Sequence, residues 1–130
     1  MVKTDIDVLA RTLWGEARGE GREGMTAVAN VVMNRVNSKR WPGTVAEVCQ
    51  QPFQFSCWLS SDPNRSKLMA VTEDDSAFKI ALEIAKYAVE EELFDITKGA
   101  NHYHAWSVSP SWAKGVNPVV YIGSHIFYKL

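Results

Sequence analysis

Leu13-Trp14-Gly15-Glu16-Ala17-Arg18-Gly19-Glu20 is the stretch around which the rest of this 130-residue chain is organised. The spacing of apolar residues before and within it predicts a helix over residues 8–18. Asp5 or Asp7 is the candidate N-cap of this helix, because a short carboxylate can accept from the first free N–H groups. Gly19 is placed to end it.

Glu16 is the residue of this helix that does not fit its surroundings. At about 100° per residue it falls inside an apolar stripe formed by Leu9, Leu13 and Ala17. A carboxylate aimed at a core is costly unless it is paired, protonated or open to a cleft. Two interpretations stay open: a buried structural ion pair, with Arg35 as the candidate cation, or a catalytic role.

Glu20 is the competing candidate, since one more helical turn would place it on the same face. Gly19 and Gly21 flank it, so we expect the helix to end before Glu20 and to leave it in a mobile, solvated turn. We therefore rank Glu16 above Glu20.

Composition and charge describe the whole chain as one globular domain over residues 1–130. Apolar residues make up 46% and charged residues 22%, and the net charge is −1. This balance argues against nucleic acid as a partner. No apolar run approaches the roughly 20 residues of a membrane span. The first residues lack the apolar core of a signal peptide, so we expect synthesis in the cytoplasm without an export signal. We also expect the protein to be a monomer.

Two cysteines, Cys49 and Cys57, are eight positions apart. A disulfide is possible, but a chain without an export signal more often keeps such thiols reduced. Cys57 as a nucleophile would need a histidine base that the sequence does not place beside it. We expect both to be buried structural residues.

A second helix is predicted over residues 25–36, after a turn at residues 21–24. It is apolar on most sides, which is typical of a central, buried helix. Asn30, Asn34 and Arg35 are its polar exceptions. We expect Asn30 to bond to the backbone of a neighbouring loop, and the other two to support the Glu16 site from behind.

Thr44 and Glu47 form a capping-box pattern that opens a short helix through Cys49. Residues 50–58 follow, a loop that mixes amides with aromatic side chains. The loop is either ordinary surface packing or the wall of a sugar-binding cleft, because aromatic faces stack on pyranose rings and amides bond to their substituents.

The second half of the chain changes from helical to strand periodicity. We predict a helical turn over residues 66–70 and the longest helix over residues 76–92. Strands are predicted over residues 101–106, 119–122 and 124–128, paired antiparallel. The predicted fold class is α+β, mostly helical with a small antiparallel sheet.

Alternation along the first strand places His102, His104 and Trp106 on one face and Tyr103 on the other. His102 and His104 could chelate zinc, with His125 or Asp95 as third ligand. Hydrogen-bonded structural histidines are the commoner outcome of this pattern, so we expect no metal and no cofactor.

Five blocks of the chain, in this order, resemble the SleB-type cell-wall hydrolase family, which includes spore-cortex-lytic enzymes and phage endolysins. They cover nearly its whole length: residues 9–20, residues 24–35, Gln54-Phe55-Ser56, Gly99-Ala100-Asn101-His102-Tyr103, and residues 122–128. The resemblance implies a lysozyme-like domain that cuts peptidoglycan between N-acetylmuramic acid and N-acetylglucosamine. Spore-cortex members are described as lytic transglycosylases, which use one glutamate and leave a 1,6-anhydro end.

Carried over by position, the family's essential glutamate matches Glu16. Tyr103 is the candidate second catalytic group, a cleft hydroxyl; a core tyrosine is the alternative. The predicted substrate-binding residues are Gln54, Phe55, Ser56 and Glu20. A hydrolytic muramidase would need a second carboxylate, for which Glu20, Glu23 and Asp62 stay open.

Two alternatives come from other classes: a zinc-dependent cell-wall hydrolase and a non-catalytic glycan-binding module. The expected partner in every case is a peptidoglycan glycan strand. The absence of a wall-binding domain and of a signal peptide favours a phage-type lysin that acts on the wall after release.

Overall fold

The computed structural model describes residues 2–51 and 54–130. In these ranges the chain forms five α-helices and one three-stranded sheet, joined by short 3₁₀ turns. The helices are α1 (Val2–Ala17), α2 (Gly21–Val36), α3 (Val45–Gln50), α4 (Asn64–Ala70) and α5 (Ser76–Val89). The strands are β1 (His102–Ala105), β2 (Val120–Ile122) and β3 (His125–Tyr128).

Helix α1 begins earlier than its periodicity predicted, and the predicted N-caps are wrong. Asp5 and Asp7 both lie inside the helix. The carboxylate of Asp5 instead accepts from the backbone N–H of Ala46 (3.3 Å), and that of Asp7 pairs with Arg11 (3.1 Å). The α-helix ends at Ala17, and a 3₁₀ turn over Arg18–Glu20 leads into the next helix.

Helix α2 begins at Gly21, so the predicted turn at residues 21–24 is wrong. Gly21 has a φ of +74°, which reverses the chain within one residue and lets the helix start at once. Gly24 is already helical, and a Cβ there would collide with the side chain of Glu20. Gly24 is therefore required for close packing. The sequence alone does not distinguish a glycine required for packing from a glycine required for a turn.

The caps of the later helices follow local chemistry. The Thr44 hydroxyl accepts from the N–H of Glu47 (3.2 Å) and donates to the Glu47 carboxylate (2.8 Å), which confirms the predicted helix start. Asp75 caps α5 by accepting from the N–H of Phe78 (3.0 Å). Helix α4 starts at Asn64, two residues earlier than predicted. Helix α5 ends at Val89 rather than residue 92, so with 14 residues it is not the longest helix, as predicted, but shorter than α1 and α2 with 16 each.

The main core lies where α1, α2 and α5 pack together, and it confirms that α2 is buried on most sides. A second, smaller cluster lies between α2 and the sheet. Its members are Ala27, Val31, Ala100, Ile122 and Phe127. Tyr103 packs against both clusters, so it joins the helical part of the molecule to the sheet.

The sheet is antiparallel with strand order β1-β3-β2. Tyr103 of β1 and Val120 of β2 both lie opposite Phe127 of β3, so the three side chains share the face that covers α2. The predicted α+β class is confirmed. Over the described ranges, no helix combines the length and apolar character needed to cross a membrane.

Candidate active site

Glu16 and Tyr103 meet where the last turn of α1 faces the inner side of the sheet. The Tyr103 hydroxyl donates a hydrogen bond to Oε1 of Glu16 at 2.6 Å, across 87 positions of sequence. Glu16 is half-buried. The sequence predicted both residues for the site but not this contact between them.

Tyr103 is held firmly on its strand. Its ring stacks on Phe127 at 5.5 Å between centroids and meets His125 edge-on at 5.0 Å. Burial, followed by the nearby charge of Glu16, raises the pKa of Tyr103 well above its usual value. The phenol therefore stays protonated and acts as a permanent donor to the carboxylate.

Polar residues of α2 hold the segment that leads into β1. Asn30 bonds to the backbone of Phe94 (3.1 Å) and Ile96 (3.0 Å), as predicted. Asn34 donates to Asp95 (3.0 Å) and to the carbonyl of Ala100 (2.9 Å). Because these bonds anchor the start of β1 on a buried helix, they set where the strand presents its side chains.

Arg35 completes this anchoring and is not the partner of Glu16. Its Nε donates to the carbonyl of Asn101 (2.8 Å) and its Nη1 to Gln54 (3.0 Å). The ion pairs among residues 2–51 and 54–130 do not include Glu16. The interpretation of Glu16 as one half of a buried pair with Arg35 is therefore wrong, and the carboxylate remains unneutralised.

Cys57 packs directly against the helix turn that carries Glu16. A Cβ on Gly15 would lie only 2.8 Å from the Cβ of Cys57, so this glycine permits the contact. Burial, followed by the charge of Glu16, raises the pKa of the Cys57 thiol, and burial raises the pKa of Cys49 to about 12. Both cysteines are buried free thiols, as predicted, and neither has the thiolate character of a nucleophile.

The predicted substrate-binding residues of the 50–58 loop separate in space. Pro52 and Phe53, which belong to that predicted loop, lie outside the described residues. Gln54 and Ser56 are exposed, whereas Phe55 is only 3% exposed and belongs to the main core. Phe55 thus has almost no surface for a ligand, because its ring packs behind the guanidinium of Arg35 (5.7 Å).

Glu20 is not in the mobile, solvated turn that the sequence predicted. Its carboxylate accepts from the backbone N–H of Ser124 (2.9 Å) and from the Ser124 hydroxyl (2.8 Å). Nδ1 of His125 is 3.9 Å from the same carboxylate. Gly123 leaves room for this carboxylate, since a Cβ there would collide with it. The predicted binding role of Glu20 stays a prediction, but two of its acceptor sites are already occupied.

Two other carboxylates were open as partners of Glu16. Glu23 is exposed on α2. Asp62 accepts from the backbone N–H of Asn64 (2.8 Å), and its charge, with that of Glu16, acts on the Cys57 thiol.

The three histidines do not converge. His104 bonds to the hydroxyl of Tyr128 (2.9 Å) and His102 to the side chain of Asn101 (2.8 Å) on the outer face of the sheet, while His125 lies on the inner face. The Asp95 carboxylate accepts from Thr97 and Gly99. Within residues 2–51 and 54–130, no three potential metal ligands come together. The zinc-dependent alternative therefore lacks its third ligand among these residues.

Trp112 is the site residue that sequence reasoning missed. It lies in the irregular loop after β1, where no periodicity marks it, and its ring contacts His102 at 5.0 Å between centroids. With Arg35, Gln54, His102 and Tyr103 it lines a cleft of about 320 Å³. The signal available in the sequence was an aromatic residue, Trp112, in the segment between two predicted strands.

Comparison with known proteins assigns the chain to a family. The model of the family described as Cell Wall Hydrolase matches residues 19–128. The chain belongs to the cell wall hydrolase family. The matched span begins three residues after Glu16. The alignments to curated relatives cover 95% or 98% of the chain and extend over Glu16.

The chain is similar to curated spore cortex-lytic enzymes. It is 32% identical to that of Bacillus subtilis (strain 168) over 126 residues, which covers 95% of the chain and 37% of the relative. It is also 32% identical to that of Bacillus cereus over 130 residues, covering 98% of the chain and 45% of the relative. The chain thus spans less than half the length of these relatives.

Solved structures agree with the fold. The catalytic domain of Bacillus cereus SleB matches with a TM-score of 0.75 and 30% identity, covering 98% of this chain and 91% of that one. The catalytic domain of the germination-specific lytic transglycosylase SleB from Bacillus anthracis matches equally, covering 95% of that chain. The predicted lysozyme-like α+β fold is confirmed.

Proposed function

We propose that this cell wall hydrolase degrades peptidoglycan by cleaving the β-1,4 bond between N-acetylmuramic acid and N-acetylglucosamine. The observation that carries the proposal is the hydrogen bond from Tyr103 to Glu16. It orients a half-buried carboxyl that has no cationic partner among the described residues, as a general acid requires. The similarity to spore cortex-lytic enzymes supports the same substrate.

Glu16 acts first as the acid and then as the base. Its proton passes to O4 of the departing N-acetylglucosamine while the bond from O4 to C1 of the muramic residue breaks. The C6 hydroxyl of that muramic residue then attacks C1 and returns its proton to Glu16. The product is a 1,6-anhydromuramic end, and the carboxyl is regenerated without a water nucleophile.

A hydrolytic outcome at the same site is the second candidate. Asp62 is the open candidate for the second carboxylate that this outcome needs, and it stands with Glu16 among the groups that raise the pKa of the Cys57 thiol. A second carboxylate could activate water on the opposite face of the sugar, so that reducing muramic ends would form instead.

Mass spectrometry of purified peptidoglycan after digestion tests both outcomes. We expect anhydro-muropeptides from the wild type, and Glu16→Gln to lower their rate of formation by about 10²- to 10⁴-fold. Glu90→Gln, an exposed glutamate at the end of α5, is the matched control and should keep full activity. Reducing muramic ends would replace the transglycosylase by the hydrolase, and undiminished turnover in Glu16→Gln would refute the glutamate mechanism.

A further inference from the structure

The cleft of about 320 Å³ beside Tyr103 has an unusual lining. Its five side chains are Arg35, Gln54, His102, Tyr103 and Trp112, and none of them is acidic. Arg40 is close enough to act on the charges of Arg35 and His102. Burial, followed by the charges of Arg35 and Arg40, lowers the pKa of His102. The cleft is therefore a polar cavity whose charge comes from Arg35.

Arg35 is the dominant charge of this cavity. The residue is 5% exposed, and its guanidinium carbon lies 5.2 Å from the ring centre of Trp41. No carboxylate within the described residues forms an ion pair with it, and its Nη2 has no hydrogen-bond partner among them. A buried cation without a counter-charge is costly, and burial accordingly lowers the pKa of Arg35.

The position of the cavity relative to Glu16 connects it with the reaction. Tyr103 lines the cavity and donates to the Glu16 carboxylate, so the two are separated by one side chain. The cavity therefore adjoins the site proposed for the sugar ring at Glu16, on the side of Tyr103. Trp112, 37% exposed, lies against His102 in the cavity lining and offers an aromatic surface to a sugar substituent.

We propose that this cavity is a carboxylate subsite, in which Arg35 binds a carboxylate carried by the muramic acid substituent of the substrate. This assignment rests on the proposed function. Muramic acid carries a lactyl group on O3, and in the intact wall this group is extended by a peptide stem with its own carboxylates. A planar carboxylate supplies the counter-charge that Arg35 lacks and accepts from its free nitrogen.

Neutralising the substrate tests the subsite in the unmodified protein. Peptidoglycan is treated with carbodiimide and methylamine, which converts its carboxylates to neutral amides, and kcat/KM is compared with that for untreated peptidoglycan. We expect the wild type to lose about 10- to 100-fold on the amidated wall, as for a hydrogen bond to a charged group. Arg35→Gln should already be slower on the untreated wall and lose little more on amidation.

Two further variants separate the cavity from general charge effects. Arg40→Gln, on an exposed residue, should reduce the discrimination between the two substrates without removing it. Arg22→Gln is the matched control, since this arginine is exposed and pairs with Glu83 on the helical side; it should discriminate as the wild type does.

Glycan strands stripped of peptides by an amidase identify the source of the carboxylate. Stripping removes the stem carboxylates and frees the lactyl carboxylate, which is an amide in the intact wall. A lower kcat/KM after amidation of the stripped strands assigns the subsite to the lactyl group, and a lower kcat/KM after amidation of the intact wall alone assigns it to the stem. Equal kcat/KM for amidated and untreated substrate, in both the intact wall and the stripped strands, would overturn the subsite alone. No cleavage of either wall would overturn the proposed function and the subsite together.

Discussion

The hydroxyl of Tyr103 is the residue-scale feature that turns an unusual glutamate into an organised site. The Tyr103 hydroxyl, at 2.6 Å, holds one carboxylate oxygen of Glu16. Because the half-buried ring packs against Phe127 and His125, this donor cannot swing away without loss of packing. Precise placement of an acid relative to the scissile bond is a large part of its effect on rate.

Tyr103→Phe tests this positioning role. The ring and its packing remain, but the carboxylate of Glu16 is free to rotate, so we expect kcat to fall by about 10- to 100-fold with KM nearly unchanged. Steady-state kinetics on soluble glycan strands provide the measurement. A proportional rise of KM at constant kcat would instead mean that the hydroxyl binds substrate directly.

At the scale of secondary structure elements, glycines allow α1 to approach its neighbours closely. Gly15 faces Cys57 of the 3₁₀ turn over Ser56–Trp58, while Gly19, one turn later, faces open space within 4 Å. The two positions differ in environment although both lie in the same Gly-rich stretch of sequence. The close contact at Gly15 sets how deeply the turn carrying Glu16 lies in the molecule.

Gly15→Ala and Gly19→Ala form a matched pair that tests this contact. The added methyl at position 15 collides with Cys57, and we expect it to lower the free energy of unfolding by about 1 to 3 kcal/mol. The methyl at position 19 meets nothing, so the change there should be neutral or slightly stabilising. Urea denaturation measures both, and equal stability of the two variants would contradict the packing argument.

At the scale of the whole molecule, one carboxylate joins the helical part to the β2–β3 turn. Glu20 and Ser124 are 104 positions apart and share two hydrogen bonds. Gly24 and Gly123 both leave space for this side chain. The N–H of Ser124, followed by its hydroxyl, lowers the pKa of Glu20 below its usual value of 4.5, so the folded state prefers the ionised form.

The pH dependence of stability follows from this preference. A carboxyl with a lowered pKa stabilises the fold above its unfolded pKa, and this contribution is lost as the pH falls through the folded pKa. We therefore expect Glu20→Gln to be less stable than the wild type at pH 7, with the difference shrinking below about pH 4.5. Urea denaturation at several pH values measures it, and Glu23→Gln, an exposed neighbour, should follow the wild type throughout. A constant difference down to pH 3 would mean that ionisation is irrelevant.

The sequence by itself determined the fold class and the position of Glu16. Helices α2 and α5 and the three strands have apolar periodicities that local geometry converts directly into secondary structure. The placement of Glu16 on a buried helical face follows from the same 3.6-residue period. Five blocks of sequence that resemble the cell-wall hydrolase family, in the same order, then predicted peptidoglycan as the substrate. They could do so because they carry residue identities, which periodicity does not.

Only the tertiary structure decided which groups meet. The bonds from Tyr103 to Glu16 and from Ser124 to Glu20 span 87 and 104 positions, and no local pattern encodes a contact at that separation. The same holds for Arg35. Only the tertiary structure shows that its charge has no carboxylate partner among the described residues. Tertiary contacts also decided where helix α2 begins. Gly24 resembles a turn residue in the sequence, but in the structure it leaves space for the side chain of Glu20.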